Sequence, residues 1–312
     1  MYDRLESVSK SPSTWHIDIE PANTPPSPGT RSPSPTLTDQ RKPIHRRFLS
    51  HLQEDISNGS VTYPSIYMCF LTGLTAAPSF AACFVWCGFQ TGNAAQLGLA
   101  LARTFTPDHQ RTFGFQKMDQ QALVSLLTFF MGSSLGQIGN KVGGKKRYWL
   151  ILATFVQMLL MMSAALVGHF SGESGLADGS GRGDPSWVTP MGMTTLAFLS
   201  ATMGLQGAVG LRLGSPVATT VPLTSTWIDI FNDPFLFALR AVRTRDIRSA
   251  GALSLILGAF VSRAILGVIG SAGTIGVVIG FRAVLLGWWF FLPGDESTVE
   301  QVQQEPKPQI PK

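Results

Sequence analysis

The sequence predicts an all-α membrane protein with six transmembrane helices, and three observations carry that class. Only 14% of the 312 residues are charged, against about 25% in ordinary soluble chains, which is too few to cover a water-soluble globule of this mass. Residues 61–102, 120–140, 148–172 and 185–211 contain no Asp, Glu, Lys or Arg at all. The cations instead sit in clusters between these runs, where they act as topology signals. A net charge of +5 and a pI near 9.3 are compatible with nucleic-acid binding. However, no basic stripe interleaved with aromatics is present, so nucleic acid is not an expected partner.

The elements follow in chain order. Residues 1–60 read as a disordered Ser/Pro-rich cytosolic tail, because the first 47 hold Ser11-Pro12, Thr24-Pro25, Ser27-Pro28, Ser32-Pro33 and Ser34-Pro35 and few aliphatics to offset chain entropy. The Ser-Pro pairs suit proline-directed kinases. The tail lacks the basic and apolar regions of a signal peptide, so the first span is expected to direct insertion. A hydrocarbon core takes about 20 helical residues, and residues 61–292 offer six runs of that length: 62–84, 120–139, 148–169, 190–210, 249–268 and 272–292. Residues 293–312 form a second polar tail.

Lys/Arg bias sets the sidedness. Arg41, Lys42, Arg46 and Arg47 precede the first span, Lys141, Lys145, Lys146 and Arg147 join the second to the third, and Arg240, Arg243, Arg245 and Arg248 precede the fifth. All fall on one side of a six-span chain, so both termini are expected in the cytosol. Arg103, Arg111 and Lys117 dissent, partly balanced by Asp108 and Asp119.

Two stretches are neither simple spans nor simple loops. Residues 61–102 would extend about 63 Å as one helix, and Pro78, Gly88 and Gln90-Thr91-Gly92-Asn93 are expected to break them. Residues 219–239, from the Thr-rich run into Trp227, read as re-entrant or interfacial. The two stretches occupy corresponding places, Gly73 then Thr91-Gly92 and Gly204 then Thr224-Ser225. Three spans repeated would put the second copy upside down, which is the inverted-repeat architecture of many secondary transporters. Chance recurrence of small-residue turns is the alternative.

Phe70-Leu71-Thr72-Gly73-Leu74-Thr75-Ala76-Ala77-Pro78-Ser79-Phe80, Gly88-Phe89-Gln90-Thr91-Gly92-Asn93 and Met203-Gly204-Leu205-Gln206 with Thr219-Thr220 resemble the YoaK family of multi-span membrane proteins of unknown function, in its fungal branch. The resemblance implies the architecture and no substrate. Ala76 stands where the family commonly has an acidic residue, and Thr224-Ser225 where a second Thr-Gly is usual.

Polar groups in hydrocarbon must find partners, so Gln90, Thr91, Gly92, Asn93, Gln206, Thr220, Thr224 and Arg282 are the candidate substrate-binding residues, with helix-to-helix bonding as the competing role. Gly92 is expected to let a turn expose backbone groups. Arg282 lies about ten residues from either end of the sixth span and needs a partner or a wet cavity. Either it pairs with Asp229, or it binds an anion. Arg263, nearer an end, is expected to snorkel. Cys69, Cys83 and Cys87 are read as packing residues, and Gly132-x-x-x-Gly136 and Gly276-x-x-x-Gly280 as internal packing sites. Arg182-Gly183-Asp184 is a chance match to an adhesion tripeptide, and the Asn58 sequon is expected to be bare.

Motifs for hydrolysis and phosphoryl transfer are missing, so no enzyme activity, metal or cofactor is expected. The expected partners are the bilayer and a small-molecule substrate, with no oligomeric state implied. Two functions remain open: a secondary transporter or permeability pathway for a small metabolite, an anion being one candidate, and a non-transporting scaffold or sensor with a regulatory tail.

Overall fold

The computed structural model describes residues 44–106, 113–177, 184–217, 220–221, 223–238 and 240–295. The Ser-Pro pairs, Arg41, Lys42, Asp108, Arg111, Arg182, Thr219 and most of the second polar tail lie outside the described residues. The described chain is helical: α1 (Ile44–Gln53), α2 (Thr62–Cys83), α3 (Gln90–Ala102), α4 (Lys117–Leu135), α5 (Ile138–Val142), α6 (Arg147–Phe170), α7 (Pro190–Leu213), α8 (Thr224–Phe231) and α9 (Arg243–Phe291). The tail expected to run to residue 60 therefore contains a helix. In α1, Phe48 and Leu49 share an apolar stripe opposite Arg46 and Ser50, so an ordered turn can lie along an interface.

Among the described residues, five segments are long and apolar enough to cross a membrane: α2, α4 continued through α5, α6, α7 and α9. Six were expected. The last two expected spans form a single 49-residue run whose one non-helical residue is Gly270, at φ 73° and ψ −180°. A glycine adopts that backbone without steric cost. An added Cβ on Gly258 would lie 2.1 Å from Phe70 O, while the Phe70 ring meets that of Phe281 at 5.5 Å. An unbroken helix would hold residues 258 and 281 about 35 Å apart, so the run doubles back at Gly270.

Other departures have local causes. Pro78 lies inside α2 and does not end it. It removes the amide that would bond Leu74 O, and Ser262 Oγ donates to that oxygen at 2.9 Å instead. The break comes at Phe84, in the left-handed region at φ 59°. Gln90-Thr91-Gly92-Asn93 forms the first turn of α3 where a non-helical turn was expected. Thr189 caps α7 by accepting from Gly192 N at 3.1 Å, with Pro190 as its first residue, the sequence chemistry that starts a helix.

Glycines set the closest approaches. A Cβ on Gly73 would come within 2.1 Å of Leu255 O and 2.6 Å of Ala259 N, binding α2 to the first half of α9. A Cβ on Gly204 would come within 2.1 Å of Phe129 O and 2.8 Å of Ser133 N, binding α7 to α4. In both pairs the helices run parallel, since Phe70 and Leu74 meet Gly258 and Ser262, and Ala201 and Ala208 meet Gly132 and Gly136. Gly132 and Gly136 thus pack internally as expected, whereas nothing lies within 4 Å of a Cβ at Gly276 or Gly280.

The helix ends gather at two poles. Ala177 N and Ser186 N donate to Ala81 O and Ala82 O, and the Gln121 amide donates to Ser186 O and Trp187 O. This pole holds the end of α2 and the starts of α4 and α7. Arg103 pairs with Asp119 here, which accounts for part of the dissenting charge. The opposite pole carries Lys145 and Lys146 and is closed by Arg147, which has no exposed surface. Its Nη1 donates to Trp289 O, Phe290 O and Leu292 O at 2.7, 3.1 and 2.8 Å, and its Nε to His51 O at 3.0 Å. Nη2 lies 3.5 Å from a Glu54 carboxylate oxygen. A cation at a helix C-terminus satisfies carbonyls that have no helical donor. Arg147→Leu is expected to cost about 3 kcal/mol by stranding them, read as a lowered thermal midpoint of the purified protein in detergent.

Candidate functional site

A polar centre lies inside the apolar bundle, about 17 Å along the second half of α9 from Ser271. Arg282 is wholly buried there. Its Nη2 donates to Gln206 Oε1 at 2.8 Å and Thr75 Oγ1 at 3.1 Å, its Nη1 to Gln157 Oε1, and its Nε to Met161 Sδ at 2.9 Å. These partners come from α2, α6 and α7. Every nitrogen has an acceptor, but each acceptor is neutral, and among the described residues no carboxylate pairs with this guanidinium. Asp229, the expected counter-ion, pairs with Arg248 at 3.2 Å, because α8 keeps it at the exposed flank of α9.

The centre extends through Gln206. Its amide nitrogen donates to Thr72 Oγ1 at 2.8 Å and Met68 O at 3.0 Å, which fixes its carbonyl toward Arg282. Thr72 Oγ1 in turn donates to Thr220 O at 2.7 Å. The Thr220 hydroxyl is itself buried without a hydrogen-bond partner among the described residues, a costly state for a polar group.

A second polar cluster lies nearer the pole where α2 ends. Asn93 Nδ2 donates to Gln90 Oε1 at 2.8 Å, to Ser125 Oγ at 3.1 Å and to Trp86 O at 3.2 Å, and Ser125 Oγ meets Ser200 Oγ at 2.9 Å. Gln90 also donates to Cys87 O at 2.8 Å, and the Cys87 thiol reaches Thr75 O at 3.7 Å. These bonds tie α3 to α2, α4 and α7. Asn93→Ala leaves Gln90 Oε1 and Trp86 O without this donor and is expected to cost about 1–3 kcal/mol, measurable as a lower unfolding midpoint.

A family described as a protein of unknown function (DUF1275) matches residues 65–288, more than half of the chain. The chain belongs to the DUF1275 family. The match agrees with the YoaK resemblance in extent, since every motif quoted for that likeness falls within it, and it encloses both polar clusters of this DUF1275 chain. Neither the curated proteins nor the solved structures contain a match to it.

The structure divides the expected site residues of this DUF1275 protein into three groups. Gln206, Arg282 and the Thr220 backbone meet at the centre, and Gln90 and Asn93 form the second cluster. Thr91, Gly92 and Thr224 are exposed on α3 and α8. Gly92 is helical, in the first turn of α3, so the non-helical turn expected there is absent. Helix α3 packs on α4 while α8 packs on α9, and the two segments come closest at their starts, where a Cβ on Gly88 would lie 3.0 Å from the Val221 side chain.

Sequence reasoning missed Thr72, Thr75, Gln157, Ser125, Ser200 and the burial of Arg147. Gln157 had a readable signal, as the one amide in the charge-free run 148–172. Arg263 lines a cavity of about 610 Å³ with Ser174, Asp184 and Ser186.

Proposed function

We propose that this protein is an integral membrane transporter or permeability pathway for a small anionic metabolite, and that Arg282 is the group that receives it. The observation that carries this reading is a wholly buried guanidinium satisfied only by neutral oxygens and a thioether. A cation in apolar surroundings costs several kcal/mol even when hydrogen-bonded, and dipoles offset only part of that cost. A bound anion supplies the rest. No catalytic step is part of this reading.

In the same proposal the chain crosses the bilayer six times, with α9 supplying two crossings that meet at Gly270, and both termini lie on the basic, cytosolic side. The six crossings form two inverted halves. The register of the close approaches supports this. Gly73 and Gly204 are 131 positions apart (204 less 73), as are Thr75 and Gln206 (206 less 75). Gly132 and Gly258 are 126 apart (258 less 132), and Gln157 and Arg282 are 125 apart. The α2–α9 and α7–α4 glycine contacts are thus copies of each other, and Thr75, Gln206, Gln157 and Arg282 are two pairs of mates meeting where the halves meet. Inverted-repeat transporters place their sites at such an interface.

The test is uptake into liposomes holding the full-length protein, comparing small anions with neutral and cationic solutes of similar size. Anion entry above protein-free liposomes is expected. If no solute class enters, and deletion of residues 1–50 alone abolishes the cellular function, the protein is a scaffold or sensor instead.

A further inference from the structure

We infer that the ligand of the Arg282 centre is a short monocarboxylate, held by Arg282 Nη1 in place of the Gln157 amide oxygen. The inference rests on the anion-pathway reading and specifies its cargo. Two amide oxygens now occupy the two terminal nitrogens of Arg282, Gln157 Oε1 on Nη1 and Gln206 Oε1 on Nη2. Nη2 spends both of its hydrogens on Gln206 and Thr75, so the position open to exchange is Nη1, where a charged carboxylate oxygen makes a stronger bond than a neutral amide oxygen.

The two amides are held unequally. Gln206 is fixed through its nitrogen to Met68 O and Thr72 Oγ1. Gln157 has no hydrogen bond other than the one from Arg282 among the described residues, so rotation of its side chain frees Nη1 without breaking any further hydrogen bond. Nε rests on a thioether, a weak acceptor, and so adds little to resist the exchange.

Charge and space narrow the ligand further. Arg282 supplies one positive charge, and the four side chains that accept its hydrogen bonds are neutral, so a single negative charge neutralises the centre. A dianion such as hydrogen phosphate would leave an uncompensated charge in a low-dielectric interior. Arg282, Gln206, Thr75, Gln157 and Met161 are each at most 1% exposed, so the centre is closed and a ligand enters only by displacing side chains, which favours a small one. Met161 gives a short alkyl tail a flexible apolar wall. Thr220, whose buried hydroxyl has no partner among the described residues, is joined to the centre by its carbonyl through Thr72 and Gln206.

The experiment uses full-length protein in liposomes with labelled acetate and propionate, and with chloride, phosphate and acetamide as comparisons, checking each variant for an intact thermal transition. Saturable acetate and propionate entry is expected, with acetamide excluded. Gln157→Leu removes the competing amide and is expected to tighten acetate binding about tenfold. Arg282→Lys replaces the fork by a point charge and is expected to weaken it about tenfold or more. Entry of chloride or phosphate without acetate overturns the monocarboxylate assignment and leaves the anion pathway standing, whereas no anion entry overturns both. Weaker acetate binding in a folded Gln157→Leu protein overturns the displacement.

Discussion

Arg282→Gln is expected to abolish anion entry while the thermal midpoint of the protein holds or rises. The two effects have one cause. The guanidinium is desolvated against Gln157, Gln206, Thr75 and Met161 with no carboxylate pairing it among the described residues, and replacing a buried charge by a neutral group is often neutral to stability or gains about 1–4 kcal/mol. Glutamine keeps an amide donor for Gln206 Oε1 and removes the charge. Transport should fall at least about a hundredfold, because a hydrogen bond to a charged group is worth about 1.5–3 kcal/mol before the lost Coulomb attraction is counted. Uptake and thermal unfolding measured on one preparation check it. A structural arginine would give the opposite pattern, a lowered midpoint with uptake reduced only in proportion to the folded fraction.

Gly73→Val and Gly204→Val are expected to be among the most destabilising single changes in the bundle. An added Cβ at either position meets a backbone oxygen at 2.1 Å and a backbone nitrogen within 2.8 Å. No rotamer relieves a clash with backbone, so the paired helices must separate. Overpacking of this kind costs about 1–3 kcal/mol or more, and the separated helices also lose packing that has no hydrophobic replacement in lipid. Gly276→Ala and Gly280→Ala are the matched controls, since nothing lies within 4 Å of the added atom. The first pair should yield little folded protein in detergent, and the controls should unfold within a few degrees of the parent. Equal losses in all four would show that these glycines act through chain entropy instead.

The apolar runs and the basic clusters were legible because burial in lipid excludes charge, so helices α2, α6 and α7 lie within a few residues of where composition puts them. The count of helices was not legible. The reversal at Gly270 falls in the gap between the expected runs 249–268 and 272–292, but with no polar loop there the two form one continuous helical run, and a glycine inside an apolar run looks the same whether it packs, bends or does nothing, as Gly276 and Gly280 illustrate. Arg147 read as one of four loop cations, since its carbonyl partners come from Trp289, Phe290 and Leu292 at the far end of the chain.

The candidate site was half legible. Arg282 and Gln206 stand out as hydrophilic side chains within hydrocarbon, and the structure joins them. Asn93 and Gln90 stand out equally, yet they bind Ser125 and form a separate tie between helices. Which polar side chains share a centre depends on the rotation of each helix about its axis. Thr72 and Thr75 were passed over because a threonine in a helix can bond its own turn, as both do with Met68 O and Leu71 O, and such a residue gives no sign that it also serves a partner. The Asp229 pairing failed for a related reason. Sequence placed an acid near the middle of the chain, but α8 holds it beside Arg248.

The reading depends on the charge of Arg282 being unmatched by protein until a solute arrives. An electron cryo-microscopy map of the full-length protein in lipid nanodiscs, recorded with acetate, tests this directly. The predicted map shows Gln206 and Thr75 on Nη2 and a carboxylate-sized density on Nη1 in place of Gln157. An Asp or Glu side chain within ion-pair distance of Arg282 would contradict it.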